Sequence, residues 1–288
     1  MVTIKLTSRL GNQLFQYAFG FAISRRWKTF FVLDTSNARH GNIICRYFNL
    51  SRLDKFLTVV FLWPCRLLVN TGVFRHLHQT NAMEPDEVLS SAHNYMQYSG
   101  YYQALKYFSR DEQKIRKIFT IKQGFVTKYN KKYAGFSDKK TIVVHIRRTD
   151  YLQYGKANLG GPGMCLPDDY VIKCLKMIGC LDEYCLIFIS DDIHYAKTTF
   201  SVRYPAAQFE QNEEIIDFQL LINADILIIS NSSFAWWGAY LNPKPEKRVF
   251  APKYWLGFKV GKEYPVNILL PSWTAVEAFG KIHNTGRS

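Results

Sequence analysis

The sequence lacks most of the signatures by which nucleotide- or metal-using enzymes announce themselves. It has no P-loop, no GxGxxG, no GxSxG and no HExxH. Those absences exclude the common phosphate cradle, the dinucleotide fingerprint, the hydrolase elbow and the zincin helix. No D-x-D pair is present to hold a divalent ion against a diphosphate. The six cysteines (Cys45, Cys65, Cys165, Cys174, Cys180, Cys185) form neither a CxxC nor a zinc-ligand spacing, so in a chain of this length they read as reduced thiols. There is no internal repeat and no low-complexity segment. Long apolar runs are scarce too: FLTVVFLWPC, Phe56 to Cys65, stops at Pro64 and Arg66, too short to span a bilayer.

Acidic residues are in short supply, 23 against 37 Lys and Arg, a formal charge of +14. Such an excess suits a lysine-rich soluble face drawn to anionic lipids, or nucleic-acid binding. No nucleic-acid module accompanies it, so no nucleic acid is expected as a partner. Met1 to Leu6 runs straight into a strand pattern with no signal peptide. A cytoplasmic protein is the expectation, with the 56–65 run and its basic surroundings a candidate for peripheral contact with the inner face of a membrane. The closing KIHNTGRS reads as a tail.

The 288 residues are enough for two domains, and 48% hydrophobic with 16% aromatic residues is enough for a sizeable core. VTIKL (2–6), LFQYAFGFAISRRW (14–27) and FFVLD (30–34) read as strand, helix and strand, with SRLGNQ as the loop between the first two. Residues 40–115 read as mostly helical. The polar, lysine-rich KQGFVTKYNKKYAGFSDKK marks a boundary, giving domains over 1–130 and 141–280. Beyond it come a strand (141–146), a helix capped by Asp168 (168–179) and a strand ending in SDD (185–192). A short strand (206–210), a helix (213–224) and a buried strand (224–233) follow, then a helix from FAWWGAYLN and a last strand (248–255). Strands and helices in alternation, with apolar strands lacking strict alternation, predict an α/β chain of two Rossmann-like domains with parallel sheets.

Three stretches carry chemistry. In VVHIRRTDYL a strand ends in His145, Arg147, Arg148 and Asp150, just where open α/β sheets place a ligand. Adjacent guanidiniums repel unless an anion offsets them, and the planar fork of arginine suits phosphate. Asp150 is placed to hold one of them; a surface salt-bridge cluster is the plainer alternative. In SNSSFAWWGAYLN an apolar strand runs through Asn231, Ser232 and Ser233 into a helix, whose N-terminal N–H groups make an anion site; plain capping would explain one serine. Trp236 and Trp237 read as packing. In SRLGNQ, Gly11 permits a turn with positive φ, while Asn12 and Gln13 offer amides to sugar hydroxyls. Asp191 and Asp192 are a strand-end carboxylate pair suited to a base or ribose. His76 and His78 have strand spacing but no third ligand for a metal.

With these stretches in view, LGNQLFQYAFG (Leu10 to Gly20), HIRRTDY (His145 to Tyr151) and NSSFAWWGAYLN (Asn231 to Asn242) resemble the α-1,2-fucosyltransferases, glycosyltransferase family 11. Their order and separation fit over nearly the whole chain. Ser8, Arg9 and Thr149 stand where the family usually has glycine. The resemblance implies a GT-B-like architecture, GDP-β-L-fucose as donor substrate, inversion at the anomeric carbon and no metal or other cofactor. It implies a galactose-terminated glycan acceptor, an N-terminal acceptor-side domain and a C-terminal donor domain. The family's animal members carry a Golgi anchor that is missing here, which points to a bacterium. On that reading Arg147, Arg148 and Asp150 are catalytic. His145, Arg147, Arg148, Asp191, Asn231, Ser232, Ser233, Phe234, Gly11, Asn12 and Gln13 are the binding set. A protein-fucosylating transferase shares the arginine motif and is the nearest rival.

Overall fold

The computed structural model describes residues 1–36, 38–136 and 139–279; KIHNTGRS, read above as a tail, lies outside them. The chain divides into two compact units, Met1–Lys128 with Pro265–Ile268, and Tyr129–Tyr264 with the chain from Leu269 on.

The first unit runs β1 (Val2–Lys5), α1 (Leu10–Arg26), β2 (Phe31–Asp34), α2 (Ile43–Tyr47), α3 (Arg52–Asn70), β3 (Arg75–His78), α4 (Pro85–Ser90), β4 (Met96–Ser99) and α5 (Glu112–Ile118). Its four strands are all parallel, in the order β2-β1-β4-β3. Val2, Ile4 and Leu33 are buried, as are Leu14, Phe15 and Phe19 of α1, while Val32 packs with Cys65 of α3 and Phe74. Burial of each such side chain is worth about 1.5–3 kcal/mol. One expectation is extended here and another corrected. The 40–115 region is mostly helical as expected, but it also contains two strands, and β4 lies inside the sheet between β1 and β3. RHLH and MQYS hide as strands because neither has the β-branched run that marks one. The helix also begins at Leu10 rather than Leu14, so Gly11, Asn12 and Gln13 form its first turn. The left-handed residue falls on Ser8 (φ 64°), not on Gly11.

A helix, α6 (Gln123–Lys132), occupies much of the lysine-rich stretch between the two sheets; Ser137 and Asp138 of that stretch lie outside the described residues. The second unit then runs β5 (Thr141–Ile146), α7 (Asp168–Ile178), β6 (Cys185–Ser190), α8 (Ile193–Phe200), β7 (Gln208–Glu210), α9 (Glu214–Asn223), β8 (Ile226–Ile228), α10 (Ser233–Leu241), β9 (Arg248–Pro252) and β10 (Thr274–Val276). All six strands are parallel, in the order β10-β9-β8-β5-β6-β7. Ile142, Val144, Phe188, Ile226, Ile228 and Phe250 pack on Tyr170, Cys174 and Leu175 of α7. These strands read as near-continuous apolar runs because helices cover both faces of a parallel sheet.

RVFAP is not the final strand, since the three-residue β10 follows it. Asp168 is not a cap either. Pro167 holds that position, and the Asp168 carboxylate accepts the Tyr195 hydroxyl at 2.8 and 2.9 Å. Trp236 and Trp237 are fully buried and packed with Tyr240 and Trp273. Beside them, a Cβ on Gly238 would meet that of Leu221 at 2.5 Å. Glycine thus lets α10 lie close against α9.

Candidate active site

In the second unit β5 sits between β6 and β8, with Ile146 in register with Ser190 and Val144 with Ile228. Their carboxyl ends therefore deliver RRTD, SDD and SNSS to one end of the sheet. The chain lays β6 and β7 on one side of β5, then β8 to β10 on the other. Such a reversal opens the crevice in which open α/β sheets bind ligands. His145 Nδ1 and the Ser230 hydroxyl meet across it at 2.8 Å.

His145 is buried, and burial first of all lowers its pKa, to about 4. The ring is therefore neutral at pH 7; it bonds to Ser230 and packs near Phe234, at a centroid distance of 5.7 Å. Positive charge comes from the arginines. Arg147 reaches Asp150 at 2.6 Å and Asp191 at 3.0 Å. Burial works against its charge, but the two carboxylates outweigh that and raise its pKa. Arg148 lays its guanidinium 3.4 Å from the centre of the Tyr195 ring. Its Nε lies 3.3 Å from Asp192, an ion pair by distance although the direction is not that of a hydrogen bond.

Asp191 organises the loop. It accepts the Arg148 backbone N–H at 2.9 Å and the Thr149 hydroxyl, besides pairing with Arg147. Asp192 caps α8 by accepting the Tyr195 N–H at 3.1 Å. The anions that offset the adjacent arginines are thus three carboxylates of the chain itself: Asp150, as the sequence suggested, joined by Asp191 and Asp192. Each guanidinium has five N–H donors, and the described contacts of Arg147 use two of its nitrogens. Donors remain for a further anion, held in a fixed direction.

α10 opens beside this loop. Ser232 occupies the cap position with no side-chain cap bond, so simple capping does not account for it. Asn231 is buried, gives Nδ2 to the Met164 carbonyl at 3.0 Å, and leaves Oδ1 without a partner. Tyr151 donates its hydroxyl to the Asn231 carbonyl at 3.1 Å, tying the RRTD loop to the start of α10. A cleft is lined by His145, Arg147, Arg148, Cys165, Tyr195 and Ser230 among others. Among the described residues no three His, Cys, Asp or Glu side chains gather as ligands for a metal ion.

In the first unit the binding set fares differently. Gly11 is buried inside α1, and Gln13 is fully buried. Gln13 donates to the Gly41 carbonyl at 2.7 Å and the Ser8 carbonyl at 3.3 Å, and accepts from the Ile43 N–H at 2.9 Å. Its amide locks the chain after β2 to the helix and is not offered to a sugar. Asn12 is half-buried and accepts from Gln103 at 2.7 Å. His76 and His78 both reach the Ser99 hydroxyl, at 2.8 Å each.

Sequence reading did not single out Ser230, Thr149, Tyr151 and Tyr195 as parts of this arrangement, and it named Asp192 only beside Asp191, as a carboxylate for a base or ribose and not as a partner of Arg148. The cap spacing from Asp192 to Tyr195 is a local signal for one of them; the others depend on which strands are neighbours. It also missed Asp217 in the first turn of α9. That carboxyl, pushed up to about 6 by burial, accepts the Asn212 side-chain amide at 2.7 Å.

The model for Glycosyl transferase family 11 matches residues 77–276, and the chain belongs to that family. An α-1,2-colitosyltransferase of Escherichia coli is 28% identical over 278 residues, covering 88% of this chain and 92% of the relative. The O-antigen biosynthesis glycosyltransferase WbnK of Escherichia coli is 27% identical over 284 residues, covering 87% and 93%. Among solved structures, the fucosyltransferase NodZ from Bradyrhizobium matches with a TM-score of 0.55 at 14% identity, over 84% of this chain and 93% of that one. NodZ is an α-1,6-fucosyltransferase also solved after soaking with GDP-fucose. The likeness in fold defines the architecture as α/β and GT-B-like, with two Rossmann-like units.

Proposed function

We propose that the chain moves L-fucose from GDP-β-L-fucose to the 2-hydroxyl of a terminal galactose in a bacterial surface glycan. The observation that carries this reading is the Arg147–Arg148 pair, fixed by Asp150, Asp191 and Asp192 at the carboxyl end of β5 and tied through Tyr151 to the start of α10. The acceptor oxygen attacks the anomeric carbon as its bond to the diphosphate breaks. That bond pair leaves on the β-phosphate oxygen, and the anomeric centre inverts. Donors fixed in advance where charge grows are the largest catalytic term available. Here they are two guanidiniums and the helix N-terminus, so the reading requires no divalent ion. The proton of the attacking hydroxyl needs an acceptor, and Asp150, 55% exposed, is the carboxylate of this loop open to take it.

In this reading the second unit holds the donor and the first serves the acceptor. The names of the E. coli relatives support an α-1,2 linkage and a surface glycan, and the NodZ structure soaked with GDP-fucose supports the donor. The reaction belongs on the cytoplasmic side, where the free thiols of this chain stay reduced. The colitosyltransferase name favours a second reading of the donor, in which colitose replaces fucose. Incubation with GDP-fucose or its colitosyl counterpart, a panel of galactosides and linkage analysis of the products tests both. An α-1,2-fucosyl galactoside is the expected product. Transfer from the colitosyl donor alone would move the donor assignment, and no glycosyl product from either donor would contradict the reading.

A further inference from the structure

We infer that α3 docks the protein on a bilayer carrying anionic headgroups, an interaction that stands apart from the donor and acceptor chemistry above. One side of this helix faces the rest of its unit. Asp54 accepts the Tyr17 hydroxyl at 2.6 Å, Thr58 accepts the Leu33 N–H at 3.3 Å, Phe61 packs on Phe30 and Cys65 is buried. A surface helix built this way should be polar on its other side. This one is not. Leu53, Phe56, Val60, Trp63 and Leu67 recur at alternating spacings of three and four and are all exposed, Phe56 at 62% and Trp63 at 72%; Val59 beside them is 80% exposed. Soluble proteins rarely leave so continuous an apolar stripe in water without a partner.

Charge selects the partner. Arg52 and Lys55 are exposed on the same helix, and Arg66, also on it, is half-exposed and paired with Asp34 at 2.7 Å. Residues 1–128 carry 18 of the basic side chains against 7 acidic ones, so the excess sits in the unit that presents the stripe. A second copy of the chain would cover the apolar residues but would bring together two molecules of +14 each. An anionic bilayer answers both features, because apolar burial and headgroup attraction act together on an interfacial helix with a basic flank. Trp63 and Phe56 would enter the headgroup boundary, as aromatic side chains do at that depth. Among the described residues no helix is long and apolar enough to cross a membrane, so the contact is with one face.

Co-sedimentation of the full-length chain with vesicles of phosphatidylcholine alone, or with one-quarter phosphatidylglycerol, tests this. Binding to the anionic vesicles should be at least about tenfold tighter than to neutral ones and should weaken with added salt. The pair Phe56→Ser and Trp63→Ser should lose about tenfold or more with an unchanged melting temperature. Arg52→Glu with Lys55→Glu should abolish the preference for anionic lipid and leaves the apolar stripe intact. Equal binding to neutral vesicles, absence of binding by the parent, or full binding by both variants would overturn the inference. So would sedimentation showing a parent dimer that the Phe56→Ser/Trp63→Ser variant dissolves, since that assigns the stripe to a second copy.

Discussion

The two units are both parallel α/β layers, yet they handle polar groups in opposite ways. In the first, the polar residues after β1 turn inward: Gln13 is fully buried, and Gln16 bonds to Thr7 and the Gly100 carbonyl. Its charge is one-sided, 18 basic against 7 acidic over residues 1–128. In the second the balance is 19 to 16 over residues 129–288, and opposite charges gather at one strand end around Arg147 and Arg148. The lesson is that the overall +14 says little about where the diphosphate binds. Excess charge describes a surface, whereas chemistry shows in charges paired and aimed.

Exchanging a guanidinium in the second unit should give the largest effect. Arg148→Lys keeps the charge but loses the planar stack on Tyr195 and the paired donors. A lost charge-assisted hydrogen bond is worth roughly 1.5–3 kcal/mol, so turnover should fall about ten- to over a hundredfold if the loss is felt in the transition state. Steady-state kinetics within twofold of the parent would remove Arg148 from the reaction. The contrasting change in the first unit is Gln13→Ala, which strands two carbonyls and the Ile43 N–H. Gly41 is exposed and Ser8 and Ile43 are half-buried, so water takes up part of the loss and each bond is worth about 0.5–1.5 kcal/mol. The melting temperature should drop by several degrees while GDP affinity in the folded protein stays put. A GDP affinity lost in step with Arg148→Lys would break the contrast between the units.

A smaller effect concerns pH. Burial raises Asp217 to about 6 in the fold, above its unfolded value near 3.8. The native state therefore holds the proton more tightly, and this group costs stability as pH rises from about 4 through 6. Asp217→Asn should stabilise the protein at pH 7 by up to about 2–3 kcal/mol, with the difference vanishing near pH 4. Thermal melts that differ equally at both pH values would contradict the assignment. The smallest effect expected is at Ser233. Its hydroxyl goes in Ser233→Ala but the backbone N–H groups of α10 stay, so GDP binding should weaken by no more than about tenfold and the melting temperature should hold. A sharp fall in stability with unchanged affinity would make the serine structural.

Much of this architecture is legible in the sequence because short, β-branched apolar runs such as TIVVHI and CLIFIS suit strands of a sheet covered on both faces. RHLH is not, since only Leu77 of its four residues is buried. The arginine loop is legible as a motif but not as a geometry. That Asp191 and Asp192 supply its anions follows from β6 lying next to β5, which no local pattern states. Gln13 misleads for a related reason. An amide after a strand reads as ligand-binding until Gly41 and Ile43, some thirty residues on, come to lie against it.

The central claim is that Arg147 and Arg148 hold a diphosphate without a divalent ion, and titration calorimetry of GDP and GMP in excess EDTA addresses it most directly. GDP should bind the parent at least about tenfold more tightly than GMP, the increment of one charge-assisted contact, and Arg148→Lys should lose most of that preference. Binding of GDP that requires manganese, or a preference for GDP that survives in Arg148→Lys with Arg147→Lys, would contradict the account.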